Sequence, residues 1–561
     1  MSVADDLRQL LTASRVLDAP AELRTYAYDA SFLTQLAPRS PDAVVIAETV
    51  QDVSAVMRYA NANRIPVTPR GAASGQAAGA VALTGGIVLA LNAMNQILEI
   101  DTANMQAFCE PGVVHAQLNA ALAKQRLIFP PDPGSSRMAT VGGMASTNAH
   151  GMRAVKYGPT SAWVLGLEVV LPDGQIIETG SVGSRAKQSS AGLELTRLIV
   201  GAEGTLGVIT RLRLKLMPIP IARAIVVGLF DALEQAGQSV QAVFASGVGP
   251  SAIEILDERC VQAINLYRPA MALPRVEALL LFEVDGNPPG VRWDAERICE
   301  VIGPFARRTE WSDEPARISA LWEARSLVGA AVGMLRPGSN RAYCGEDICV
   351  PVARIPETLR AVQEISARHR IPIATYGHIG GGGLHPGHLI DGRDADEIQR
   401  VLRVADEIHL LALRMGGTTT GEHGVGAARA PYMAQEHGPA LDVMHRLKRA
   451  LDPNGIMNPG VIFDTPALLF EMPQRASRRT RRSADRPWLV PNLSARSSAD
   501  KPAFGASRSR PNFEQQIGLE GRSMPEDLFG CPLGRDSPVA LRVAASAAPY
   551  ARTLAKREIT S

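Results

Sequence analysis

The sequence predicts an α+β protein of two domains with a basic tail, and three observations carry that reading. Helix-like and strand-like apolar periods alternate along the first 220 positions. From 221 the order of elements changes to strand, helix, strand, and beyond 463 periodic apolar positions give out. A chain of 561 residues with 46% hydrophobic content has enough apolar surface to fill more than one core. We place the first domain at 1–220, with its core at about 38–218, the second at 221–463 and the tail at 464–561.

In the first domain, "QDVSAVMRYANAN" sets Val53, Val56, Met57 and Ala60 on one helical stripe, and "RIPVTPRG" reads as a short strand entering a turn. "GIVLALN" follows as a buried strand. "VLGLEVVL" and "QIIETG" flank Pro172-Asp173-Gly174, a hairpin signal. In "RLRLKLM", Leu212, Leu214 and Leu216 alternate with Arg211, Arg213 and Lys215, giving one dry face and one wet face. The second domain opens with the strand "ARAIVVGLF", then an amphipathic helix over Leu233 to Phe244 and the strand "ALLLFEVDG". A helix and strand pair near 355–376 and a long helix from Asp394 to Met415, ending at Gly416-Gly417, complete an antiparallel sheet covered by helices. The last helix stops at "LDPNG".

Composition excludes several classes. The six cysteines contain no C-x-x-C, which argues against an iron–sulfur site and a disulfide framework and for free thiols in a reducing compartment. The start "MSVADDLRQLL" lacks the basic and apolar pattern of a secretory signal, and no uninterrupted apolar run is long enough to span a bilayer. The expected location is therefore the cytoplasm, with no transmembrane segment. The tail carries 16 Lys and Arg against 10 Asp and Glu, leaving 42 basic and 46 acidic residues in the body. Its arginine run, "ASRRTRRSADR", has no interleaved aromatics. It reads as a solvated, disordered extension, and no nucleic-acid partner is expected.

Three small-residue segments concentrate in the first domain: "PRGAASGQAAGA" at 69–80, "PPDPGSSRMATVGGMASTNAHG" at 130–151 and "GAEGTLGVIT" at 201–210. None is a G-x-x-x-x-G-K-[ST] loop or a G-x-G-x-x-G with a following acid, which removes the common ATP and NAD readings. Loops this free of side chains let backbone N–H groups approach a pyrophosphate closely. The succession "VTPRGAASG", "ATVGGMASTNAHG", "VKYGPT", "LGLEVVLPDG" and "GAEGTLGVITRLRLKL" resembles the FAD-binding (PCMH-type) domain of vanillyl-alcohol-oxidase-type flavoproteins. Residues 25–463 as a whole resemble the FAD-linked D-2-hydroxy-acid dehydrogenases, a family with glycolate oxidase, D-lactate dehydrogenase and D-2-hydroxyglutarate dehydrogenase members.

That resemblance implies that Arg70, Gly71, Ser74 and Gly75 hold the pyrophosphate of FAD. It implies that Thr140, Gly142, Gly143, Ser146, Thr147 and Asn148, with Glu203, Gly207 and Ile209, line its remainder, and that Asn458 reaches the flavin side. No histidine lies between Val67 and Ala80, so the FAD is expected to be non-covalent. His150 stands where relatives often have glycine and reads as a variation within the loop.

"TYGHIGGGGLHPGHLID" sets His378 and His385 either side of four glycines, and "GGTTTGEHGVG" holds Glu422 and His423 in a turn. Without a lysine or helix-start serine, the first stretch is a poor phosphate loop. Two imidazoles and a carboxylate suit a divalent metal with positions left open for substrate. Carried over from the family's G-H-x-G-D-G-N-x-H and G-E-H-G patterns, His378, His385 and Glu422 are the metal ligands, for zinc or manganese, and His423 is the base. Gly381 and Gly383 replace the family's Asp and Asn, removing a polar substrate contact. "LWEARSLVGAA" resembles the segment whose arginine, here Arg325, pairs with the substrate carboxylate.

The resulting expectation is oxidation of a small 2-hydroxy acid of the glycolate or D-lactate type, with electrons passed to a separate quinone, cytochrome or iron–sulfur partner at the inner face of a membrane. The rivals are a non-catalytic FAD-binding subunit of a dehydrogenase complex and a metal-free oxidase of another alcohol on the same fold.

Overall fold

The strand Ile87–Ala90 is buried at every residue because it lies inside a four-stranded sheet, in the order Arg15–Leu17, Ala43–Ile46, Ile87–Ala90, Val67–Arg70. The computed structural model describes residues 2–11, 14–344 and 346–463; the tail expected to be disordered lies outside them. Ala43–Ile46, Ile87–Ala90 and Val67–Arg70 are parallel, which requires a crossover, and the helix Val50–Asn63 supplies it. Thr49 caps that helix by accepting from Asp52 N–H at 3.1 Å, worth about 1 kcal/mol. Val53, Val56, Met57 and Ala60 form its buried face.

A five-stranded antiparallel sheet follows, in the order Ile97–Asp101, Gln106–Cys109, Val208–Lys215, Val164–Val170, Ile176–Glu178. The expected hairpin is present: Val170 pairs with Ile176, and Gly174 turns the chain at φ 83°. Leu212 and Leu214 face the core, as their alternation requires.

After residue 221 the chain builds an antiparallel sheet in the order Arg308–Ser312, Ala222–Phe230, Ala278–Gly286, Ala252–Asp257, Ile373–Gly377, Gly383–Ile390, Asn340–Ala342, with Ile348–Cys349 also on Gly383–Ile390. Period-2 alternation divides its side chains between two layers. Val226, Ile255 and Leu280 meet the helices Leu233–Ala245, Pro288–Ile302, Ile355–His369 and Ala395–Arg414, whereas Ile225, Leu256 and Leu279 meet Glu258–Tyr267 and Pro315–Ala331.

Pro315–Leu335 is long and apolar enough, by length and composition, to cross a membrane. Glu323 and Arg325 interrupt it, so an inspection for unbroken apolar runs passes over it. In the fold, Leu321, Val328 and Ala331 pack against the sheet. The five cysteines among the described residues are all free.

Although residues 452–463 follow the last sheet in sequence, they return to the first. Met457 bridges Val67 in parallel, and Asn458 N–H donates to the Val67 carbonyl at 2.8 Å.

Candidate active site

A cavity of about 390 Å³ opens between the small-residue loops of the first sheets and the edge of the last. Of the FAD-site residues expected from sequence, Arg70, Gly71, Ser74, Gly75, Thr140, Gly142, Gly143, Ser146, Thr147, Glu203, Gly207 and Ile209 line it. Asn148 and Asn458 do not.

The loop after Val67–Arg70 has the character of an anion cradle. Among the described residues, no backbone N–H from Gly71 to Ala77 donates to the protein, and Ala73 takes the left-handed conformation at φ 52° that turns successive N–H groups to one side. Gly71 is required by space, since a Cβ there would lie 2.5 Å from Thr140 Oγ1. Thr140 in turn caps Val141–Thr147, accepting from Gly143 N–H at 3.2 Å. Unpartnered donors beside uncrowded walls fit the diphosphate and rings of FAD.

Arg70, Asn148 and Asn458 also make hydrogen bonds within the protein. The Arg70 guanidinium, on the cavity wall, donates to the carbonyls of Ala80, Tyr28 and Tyr26, at 2.7, 2.9 and 3.4 Å, which holds the loop's shape. Asn148, at φ 52°, closes the short helix and accepts from Ser161 N–H. Asn458 donates to the Gly79 and Glu203 carbonyls, fastening the returning chain behind the cradle. Glu203 accepts from Val425 and Gly426 N–H at 2.7 and 2.8 Å, tying the G-E-H-G turn to the cradle side; burial pushes its carboxyl up to about 7.

On the other wall, the strand–turn–strand over 373–390 solves the spacing problem of the two histidines. His378 accepts, through its carbonyl, from Gly381 and Gly383 N–H, and the turn brings the His378 and His385 rings to 4.9 Å, edge to face. Of the four glycines Gly382 is fixed by geometry, at φ 84° with a Cβ position 1.9 Å from the Val350 carbonyl oxygen. Gly381 has open space and Gly383 only ordinary contacts.

His378 Nε2 and His385 Nε2 lie 3.2 and 3.5 Å from Glu422 Oε1, and the three ligand atoms fall within 4.8 Å of one another. Their outer nitrogens face acceptors: His378 Nδ1 is 2.7 Å from Glu254 Oε1 and His385 Nδ1 is 2.8 Å from the Glu346 carbonyl. A carbonyl or carboxylate oxygen only accepts, so the outer nitrogens carry hydrogens and the inner ones are directed at a shared point. That is the support a metal-binding histidine pair needs, and the donor set fits a divalent metal. Without a metal, burial opposes charging of His378, but Glu254 and Glu422 outweigh it and hold its pKa near 10. Burial and the neighbouring His378 push His385 down to about 3. His423 stacks on His385 at 5.4 Å, with Nε2 3.6 Å from Glu422 Oε1, and is more exposed than the other three.

Arg325 also faces the cavity. Its Nε donates to Glu254 Oε2 at 2.6 Å and its guanidinium lies 4.7 Å over the Tyr376 ring.

Several neighbours escaped the sequence reading. Glu254 is fully buried and joins Arg325 to His378; the signal was a lone acid in the apolar strand "AIEIL", where only a partnered carboxylate is stable. Asp347 accepts from Thr420 Oγ1 and from the Glu422 and His423 N–H groups, shaping the turn. His150 is more than a loop variation: its Nε2 is 2.9 Å from the Gly421 carbonyl and its Nδ1 3.6 Å from Glu422 Oε2. Arg341, Tyr343 and Tyr376 line the cavity beside Arg325.

The fold and site together define an FAD-dependent oxidoreductase. Residues 41–180 match the family model for an FAD binding domain, and 219–462 match FAD linked oxidases, C-terminal domain. The chain is 37% identical over 82% of its length to glycolate oxidase subunit GlcD of Bacillus subtilis, covering 96% of that protein. It is 35% identical over 76% of its length to a probable mitochondrial D-lactate dehydrogenase of Danio rerio, covering 85% of it. Among solved structures, p-cresol methylhydroxylase with substrate bound superposes with TM-score 0.68 at 19% identity, over 82% of this chain and 96% of that one. 4-Ethylphenol oxidase from Gulosibacter chungangensis gives 0.65 at 22%, over 81% and 95%. The chain belongs to the FAD-linked oxidase family.

Proposed function

We propose that the protein oxidises a small D-2-hydroxy acid to the 2-oxo acid. The observation that carries this reading is the meeting, in one cavity, of the unpartnered N–H cradle with the His378, His385, Glu422 cluster and Arg325. The relatives named as glycolate oxidase and D-lactate dehydrogenase support the same class.

In this reading Arg325, held by Glu254, receives the substrate carboxylate. His378, His385 and Glu422 would hold a zinc or manganese ion, which would supply Lewis-acid polarisation of the substrate, and His423 takes the hydroxyl proton. FAD, when bound, supplies the acceptor for the hydride leaving C2. The electrons then pass to a separate partner, a proposal supported by the naming of the Bacillus relative as a subunit.

The test is anaerobic mixing of the yellow holoprotein with glycolate, D-lactate, L-lactate and D-2-hydroxyglutarate, after chelation and after zinc or manganese is restored. Bleaching of the oxidised flavin by a D-acid or glycolate, dependent on the metal, is the expected result. A flavin that stays oxidised with every acid would favour the non-catalytic subunit. Bleaching indifferent to metal would remove the metal from the reading.

A further inference from the structure

Beside the cavity, a second group of charged side chains joins the two domains, and the reaction above gives it no task. Arg153 follows the small-residue segment 130–151 of the first domain. Its guanidinium reaches Glu283, a fully buried carboxylate on the strand Ala278–Gly286 of the second, donating from Nε to Oε1 at 2.7 Å and from Nη2 to Oε2 at 2.9 Å. Its Nη1 donates to Asp132 Oδ2 at 2.7 Å, which closes the ends of its own segment. Glu283 also accepts from Trp322 Nε1 at 2.8 Å, and the Arg153 guanidinium lies 5.6 Å over that indole ring. An apolar contact would join the domains without desolvating ions, but only a planar fork on a carboxylate fixes an angle as well as a distance.

Both ends of this link adjoin the cavity. Met152, one residue before Arg153, lines it, and so does Arg325, three residues after Trp322 on the helix Pro315–Ala331. Residues three apart on a helix share a face. On the sheet beneath, Leu281 pairs with Glu254 and Glu283 with Ala252, so the two acids are diagonal neighbours on one face. Each takes a donor from the same helix, Glu254 the guanidinium of Arg325 and Glu283 the indole of Trp322. They differ in what else they hold. Glu254 Oε1 faces His378 Nδ1, whereas Glu283 holds Arg153. The helix is therefore tied to the histidine cluster at one turn and to the first domain at the turn before.

We propose that Arg153, Glu283 and Trp322 are positioning residues that set the register of the Arg325 helix against the first domain. This rests on the D-2-hydroxy-acid reading and deepens it. With the link loosened, Arg325 keeps Glu254 and still receives the substrate carboxylate, but the reacting carbon is no longer held in line with the flavin wall. A misplacement of about 1 Å can cost on the order of 100-fold in rate.

The experiment uses the flavin-loaded full chain as wild type, Arg153→Lys, Trp322→Phe and the double variant. Arg153→Lys keeps the charge and loses the fork, and Trp322→Phe keeps a ring and loses the donor. Anaerobic flavin reduction is followed over a range of D-lactate and glycolate concentrations, and hydrogen exchange is followed in the helix Pro315–Ala331 and in 130–153. In each single variant the limiting rate is expected to fall about tenfold or more, with the dissociation constant within about threefold of wild type and FAD content unchanged. Exchange should rise in both segments whichever end is altered. The double variant should be within about twofold of the slower single one, because two cuts in one link do not add. Limiting rates within about twofold of wild type in both single variants would overturn the proposal. So would an equal loss of rate and binding, or faster exchange confined to the segment that carries the substitution, since those are the marks of a merely structural role. Bleaching of the wild type with unmoved variants fails this inference alone. If neither acid bleaches the wild type, the D-2-hydroxy-acid reading fails and this inference with it.

Discussion

The two walls of the cavity are built from different materials. The flavin wall is backbone: N–H groups of 71–77 and glycines whose role is to be small. The acid wall is side chain: His378, His385, Glu422, His423 and Arg325, each oriented by another buried group. A backbone site responds to the volume of its residues, whereas a side-chain site responds to their chemical identity and to the partners behind them.

That contrast can be broken from either side. The largest separation is expected from Glu254→Ala, which removes the shared partner of His378 Nδ1 and Arg325 Nε. Metal affinity should fall by about 10- to 100-fold with flavin content unchanged, as read by metal titration of the chelated protein and by its visible spectrum. Gly71→Val attacks the other wall. A side chain directed at Thr140 should cost about 1–3 kcal/mol of FAD binding, up to roughly a hundredfold, while metal affinity is retained. FAD release on dilution measures it.

Acid should sharpen the comparison by a smaller amount. Burial pushes His388 to about 4 and His409 well below its ordinary value, both in the second region. In the first region His115, pushed by burial to about 4, is bonded through Nδ1 to Ser136 and through Nε2 to Asn119. For a histidine whose folded pKa is depressed, the stability contribution is complete above its unfolded value of about 6.5 and is lost as pH falls through the folded one. Between about pH 6.5 and 4, hydrogen exchange in the strand Gly383–Ile390 should therefore accelerate more than in Ile87–Ala90, after correction for the intrinsic rate. His388→Leu should reduce that difference. The smallest effect is expected at Gly383→Asn, where a Cβ meets only ordinary contacts; thermal stability should change by no more than about 0.5 kcal/mol.

The same contrast explains what was legible in the sequence. Apolar periodicity marked the strand Val208–Lys215 and the helices Val50–Asn63 and Ala395–Arg414, and an unbroken apolar run marked Ile87–Ala90, which is buried at every residue. Small-residue loops marked the flavin wall, because backbone sites leave a compositional trace. On the acid wall, the motif residues His378, His385 and Glu422 stood out, but their supports did not. Glu254, Asp347, His150 and Arg341 arrive from other strands and loops, 16 to 272 residues distant from Glu422, Arg325 or His378 in sequence, and no local pattern links them. The partners of Arg70 were hidden for the same reason: its place in a phosphate-type loop is visible in sequence, but the carbonyls that hold its guanidinium come from residues 26, 28 and 80.

The central claim is that one wall holds the flavin and the other performs the chemistry. Its most direct test is His378→Ala, purified with its flavin and mixed anaerobically with the acid that bleaches the wild type. The account predicts wild-type FAD content and flavin reduction slowed by about a thousandfold or more. Loss of FAD along with reduction, or reduction at the wild-type rate, would contradict it.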